Sequence, residues 1–152
     1  MGTVHQVRGR LLTVTLAAQL LVMAGCAEST GETIAPGDLV GSWSLVATGV
    51  VLTFESGQAG QLYHLRDPQG AYGQWLEGGS DLLVRGFWRV LGQSLLFDDE
   101  AGPIACPILD DRFVITMNAG KTSMTLSHLG DDCLQRALIL DDFLWRRSSD
   151  DS

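Results

Sequence analysis

Basic residues are scarce in this chain. Ten lysines and arginines face eighteen acids over 152 residues, for a net charge of −8. A surface of that sign repels phosphate backbones and anionic lipids, which excludes a nucleic-acid-binding role. Many acids come in clusters: Asp98-Asp99-Glu100, Asp110-Asp111, Asp131-Asp132, Asp141-Asp142 and Asp150-Asp151. None shows the alternating acids and central glycine of a calcium loop, so they read as solvated turns between strands. There are three cysteines and three histidines, with no CxxC or HxxxH spacing. Four zinc ligands are hard to assemble from that set. No GxSxG segment marks a hydrolase nucleophile. The reading is therefore of a non-enzyme, with no catalytic residue, metal ligand or cofactor assigned. Long helix-period patterns are missing as well.

The N-terminus is distinctive. "MGTVHQVRGR" carries Arg8 and Arg10 and no acid, and "LLTVTLAAQLLVMAG" follows as an apolar run that stops at Cys26. The run is too short for a stable membrane span and ends in small residues. It resembles a bacterial lipoprotein signal, with Met23-Ala24-Gly25-Cys26 as its lipobox. That resemblance implies a signal peptide over residues 1–25 and acylation of Cys26, whose acyl chains (palmitate among them) would hold the protein to a bilayer. An ordinary secretory signal cut nearby is the alternative. Cleavage would remove two arginines and no acid, leaving a more acidic mature chain. Residues 26–38, including "AESTGETIAPGD", are polar and aperiodic and read as a flexible tether. The globular part is expected over residues 39–147, with a disordered tail at 148–152. The implied location is the bacterial cell envelope, lipid-anchored and extracytoplasmic. Ala27 after the acylated cysteine would favour the outer membrane of a didermal cell.

With Cys26 taken by lipid, Cys106 and Cys133 remain in a compartment that permits disulfides. A nucleophilic Cys133 would need a neighbouring cation, whereas Asp131 and Asp132 precede it. A disulfide is the expected use. It would close a loop of about 28 residues, contributing about 3 kcal/mol on the chain-entropy account.

From Leu39 onward, strand signals recur at short intervals. They lie in "LVGSWSLVA", "VVLTFESG", "GQLYHLRDPQG", the short "AYGQWLEGGS", two runs around Gly92-Gln93, two around Asn118-Ala119-Gly120, and the closing "LQRALILDDFLWRR". Eighteen glycines, mostly between the apolar runs, suit tight turns. About eight short strands in one domain argue a small antiparallel barrel or sandwich. In "DDCLQRALIL", Leu134, Ala137 and Leu138 have helix spacing, but a short turn followed by strand is the preferred reading. The segments ending at Cys106 and Cys133 share a plan of strand, turn, strand, acids and cysteine. That plan brings both thiols to the same end of the sheet.

Gly41-Ser42-Trp43 and Trp145-Arg146-Arg147 together resemble the lipocalin-like calycin barrels. In that family an arginine of the last strand packs over the tryptophan of the first and closes the barrel end. The stretch from Leu39 to Arg147 is also similar to a group of small bacterial lipocalin-like lipoproteins of unknown function, through Leu96–Cys106, Asp131–Arg136 and Trp145–Arg147. The implied fold is an all-β, up-and-down barrel of about eight antiparallel strands, with Gly41, Trp43, Trp145, Arg146 and Arg147 at its closure. By the same resemblance, Tyr63, His64, Tyr72, Trp75 and Trp88 are candidate walls of a cup for a small apolar or amphipathic ligand. The rival expectation is a filled barrel serving as a structural or protein-interaction module, such as an inhibitor or envelope assembly factor. The sequence is silent on oligomeric state.

Overall fold

Eight strands close on themselves. The computed structural model describes residues 33–57, 60–73, 76, 80–107, 111–130 and 133–149. A short 3-10 turn at Pro36–Asp38 leads into β1 (Gly41–Leu45), β2 (Val51–Gly57), β3 (Gly60–Arg66), β4 (Leu82–Leu91), β5 (Ser94–Ala101), β6 (Asp111–Met117) and β7 (Ser123–His128). A two-turn helix, α1 (Leu134–Leu140), then precedes β8 (Leu144–Arg147). Each strand pairs antiparallel with the next, and β8 returns to β1, so no sheet edge is left open. This is the all-β, up-and-down barrel expected from the sequence, consistent with a lipocalin-like fold. The turns at Gly92-Gln93 and Asn118–Lys121 fall where the glycines and asparagine mark them.

Period-two alternation decides what is inside. On β4, Val84, Gly86 and Trp88 are buried while Arg85, Phe87 and Arg89 are exposed. The opposing strands present Phe54, Tyr63, Leu95, Phe97, Phe113, Ile115 and Leu126 to the same interior, and all are buried. Their rings touch in a chain. Trp88 meets Phe54 edge-on at 5.0 Å, Phe54 stacks with Phe97 at 6.2 Å, and Phe97 contacts Tyr63 at 4.6 Å and Phe113 at 5.6 Å. These buried rings form the central part of the described core.

One end of the barrel is closed by Arg147. Its guanidinium lies 4.3 Å from the ring of Trp43. It also donates from Nη1 to the Val40 carbonyl at 2.7 Å, from Nη2 to the Asp38 carbonyl, and from Nε to that of Lys121 at 3.3 Å. The Trp43 indole donates to the Leu39 carbonyl at 2.8 Å. Gly41 sits at a φ of +116°, a conformation open to glycine and strained for other residues. Trp145 is buried on the inward side of β8, opposite Leu45 and Met124. Arg146 is out of phase with both neighbours and exposed. Of the two arginines in "WRR", only Arg147 therefore holds the closing position. The packed chain also begins earlier than Leu39: Ile34 is buried in the core, and the 3-10 turn lies within the closure, so residues read as tether take part in it.

Arg147→Ala removes a partly buried cation–π contact and three carbonyl hydrogen bonds, and is expected to lower stability by about 2–3 kcal/mol. Arg146→Ala should stay within about 0.5 kcal/mol of the parent. Urea unfolding curves of the two variants check this directly.

Candidate functional site

The opposite end is covered by α1, and its orientation differs from the expectation. The sequence favoured a turn and strand, with Leu134, Ala137 and Leu138 as any apolar face. Instead Leu-Gln-Arg-Ala-Leu, a run of strong helix formers, winds up after Cys133. The buried side of this segment is Cys133, Arg136, Ala137 and Leu140, spaced i, i+3, i+4, i+7, together with Ile139. Leu134 and Leu138 face out. The helix turns an arginine inward because of what waits for it there.

Two carboxylates meet Arg136. From Nε and Nη2 it donates to Oδ2 of Asp111, at 3.0 Å for Nε, and from Nη1 to Oδ1 of Asp99. Nη1 also reaches the Tyr63 hydroxyl oxygen at 3.2 Å, and Tyr63 donates to the same Asp99 oxygen. The remaining oxygen of Asp99 accepts the Cys106 amide at 2.6 Å, and Oδ1 of Asp111 bonds Nε2 of His128 at 2.6 Å. All four carboxylate oxygens are thus engaged. The Arg136 and Asp99 side chains are fully buried, and those of Asp111 and His128 nearly so. The guanidinium lies 5.2 Å from the centre of the Phe97 ring, at the top of the aromatic column.

The strands place these groups by register. Tyr63 lies opposite Gly86, and Gly86 opposite Asp99, so three neighbouring strands form one inward row. The middle residue has no side chain to separate the phenol from the carboxylate. A Cβ on Gly86 would sit 2.2 Å from the Asp98 carbonyl oxygen, at the point where the β4–β5 register shifts. Asp111 lies opposite Phe97, and His128 opposite Phe113. The disulfide between Cys106 and Cys133, Cα atoms 5.9 Å apart, ties the loop after β5 to the first residue before α1. The expected pairing of these cysteines is the one found, and it holds Arg136 beside Asp99.

Burial alone would weaken the charge on Arg136. Tyr63, Asp99 and Asp111 outweigh it, so its pKa rises and it stays a cation at any working pH. Burial pushes the Tyr63 hydroxyl well above the usual phenol range, aided by the adjacent Asp99. Tyr72, half-buried against the core, is also raised, first by burial and then by Asp67.

Of the residues proposed as cup walls, Tyr63 and Trp88 face the barrel interior, whereas His64 and Tyr72 do not share that position. Tyr63 belongs to the Arg136 cluster and Trp88 to the core, where its indole donates to the Glu55 carbonyl at 3.2 Å. His64 lies on the outer face of β3, with Nδ1 3.3 Å from Glu55. Tyr72 packs beyond Asp67, whose carboxylate accepts the amides of Ala71 and Tyr72. Trp75 and Cys26 lie outside the described residues. Sequence reasoning missed Asp99, Asp111, His128 and Arg136, having read the acid pairs as solvated turns. The available signal was phase: Asp111 shares the inward phase of Phe113 and Ile115. Among the described residues, no group of three or more His, Cys, Asp and Glu side chains is placed to hold a metal ion.

Over this cluster lies an open groove of about 450 Å³, lined by His128, Leu134, Ala137, Leu138, Asp141 and Phe143 among others. Its lining is mainly apolar. Asp141 fixes one wall by accepting the His128 backbone amide at 2.7 Å.

Arg136→Leu leaves two buried carboxylates without their cation and is expected to cost about 3–5 kcal/mol, read from denaturant unfolding. The two tyrosines are the only ones in the chain, and both have raised pKa values. A raised phenol pKa contributes stability below the unfolded value of about 10, and loses it as pH climbs past that value. Absorbance at 295 nm should therefore show little phenolate near pH 10 until the barrel unfolds. Tyr63→Phe should flatten the alkaline fall in melting temperature.

Comparisons with protein-family models, with curated proteins and with solved structures gave no match to this chain.

Proposed function

We propose that this protein is a non-enzymatic interaction module, held to the bacterial cell envelope by acyl chains on Cys26 and presenting a filled barrel outside the cytoplasm. The observation that carries the module reading is the interior itself. Trp88, Phe54, Phe97, Tyr63 and Phe113 stack down the barrel, and Arg147 and Arg136 cover its two ends. A binder of small molecules leaves an apolar hollow of several hundred Å³ with a few polar groups converging on it. Here the polar groups at the barrel end are all engaged with one another. The anchor rests on the N-terminal sequence: a basic head, an apolar run and the Met23–Cys26 segment. A tethered, rigid, acidic barrel suits capture of a partner near the membrane, with charge steering the encounter.

A small apolar or amphipathic ligand is the second reading, favoured by the groove of about 450 Å³ beside α1. It moves such a ligand from the barrel interior to the outer surface.

The module reading expects the soluble part of the chain, residues 27–152, purified from an oxidising compartment, to fly bare in native mass spectrometry. Fatty acids at millimolar concentration should leave its melting temperature within about 1 °C, since only a ligand that binds the folded state raises it. A copurified lipid, or a rise of several degrees that Trp88→Ala abolishes, would overturn the filled barrel. The anchor is checked separately: an alkyne-tagged fatty acid should label the full chain in cells, and Cys26→Ser should abolish the label.

A further inference from the structure

The α1 end carries apolar surface that the fold does not use. Leu134 and Leu138 lie one helical turn apart and are 67% and 64% exposed. Leu129, Phe143 and Leu144 are exposed in the adjoining segments. The helix could have buried those leucines; it buries Arg136 instead, because Asp99 and Asp111 draw that side inward. The only cation on α1 is thereby neutralised inside the barrel. What faces the groove is apolar side chains, His128 and the carboxylate of Asp141, with the exposed Asp142 next in line. Among the described residues, no lysine or arginine lines it.

That combination selects a partner. Two leucines at i and i+4 beside Phe143, over the small Ala137, accept a ridge of two or three apolar side chains at helix spacing. A carboxylate at the wall, in a chain of net charge −8, selects for cations flanking that ridge. We propose that the groove between α1 and the β7–β8 end is the docking site for a cationic amphipathic segment of a partner protein, its apolar face against Leu134, Leu138 and Phe143 and its lysines or arginines towards Asp141 and Asp142. The proposal rests on the interaction-module reading and names the partner chemistry that such a module would recognise. The surface is set before the partner arrives: the Cys106–Cys133 disulfide and the Arg136 ion pairs fix α1 against the barrel. Docking then requires no refolding of the barrel end.

The test uses the mature chain with Cys26→Ala, which keeps the compact unit Gly31–Ser152 whole. The probe is a fluorescein-labelled 14-residue peptide with leucines on one helical face and lysines on the other; its control has glutamate in place of lysine. Anisotropy should show saturable binding of the lysine peptide, at least tenfold tighter than that of the glutamate peptide. Leu134→Asn with Leu138→Asn should weaken binding at least tenfold while leaving the melting temperature within a few degrees, because both side chains are exposed. Asp142→Asn should weaken it about threefold and reduce its salt dependence. Three results would overturn the proposal: equal binding to the leucine variants, equal binding of the two peptides, or no binding of either. Two more would reassign the groove. A dimer in sedimentation that Leu138→Asn dissociates would make a second copy the occupant. Saturable binding of laurate that Leu138→Asn abolishes, with neither peptide bound, would make it a lipid subsite. None of these outcomes bears on the filled barrel, which Trp88→Ala and the fatty-acid melts address separately.

Discussion

Arg136 organises one half of this molecule. A guanidinium taken out of water must be met by charge and by hydrogen bonds, or the folded state does not tolerate it. Here the answering groups come from β3, β5, β6 and, through Asp111, β7. One side chain on a two-turn helix thus fixes the positions of four strands relative to that helix. The constraint also works in the other direction. Two carboxylates inside a barrel end would repel each other without the cation, so the strands need the helix as much as the helix needs the strands. The disulfide reinforces the pairing by shortening the unfolded-state search for it.

The two ends of the barrel solve one problem by different chemistry. At the Trp43 end, Arg147 is met by backbone carbonyls and an aromatic face, groups that carry no net charge. At the α1 end, Arg136 is met by two carboxylates and a ring. The first arrangement draws on two places: the carbonyls of Asp38 and Val40 just before Gly41, and that of Lys121 in the β6–β7 turn. The second gathers groups from across the barrel. Between them runs the column of aromatic contacts from Trp88 to Phe113. The price of burying Arg136 is an outward ridge of leucines, and that ridge is the surface we assign to a partner.

Reading the sequence recovered features whose cause is local. Period-two alternation, glycine at turns and β-branched runs act over a few residues. They made the strand count, the antiparallel order and the turns at Gly92 and Asn118 legible. The Cys106–Cys133 pair was legible because excluding Cys26 left a single partner for each thiol. The Gly41–Trp43 and Arg147 closure was legible only as a family pattern, and the pattern could not separate Arg146 from Arg147. The phase of β8 does so.

The amino-acid sequence by itself determined the antiparallel all-β strands, their turns and the single disulfide, since each follows from neighbours along the chain or from the supply of residues. Closure into a barrel rather than a sandwich was implied only by the family pattern. Tertiary structure alone decided that Arg136 lies inside, that Leu134 and Leu138 lie outside, and that Trp88, Phe54, Phe97, Tyr63 and Phe113 meet ring to ring in the interior. The physical reason is distance along the chain. Arg136 finds Asp111, Asp99 and Tyr63 across 25, 37 and 73 residues, and no local pattern shows that two acids in different strands will share one buried cation. A helix read alone buries its leucines; set over two carboxylates, it buries its arginine.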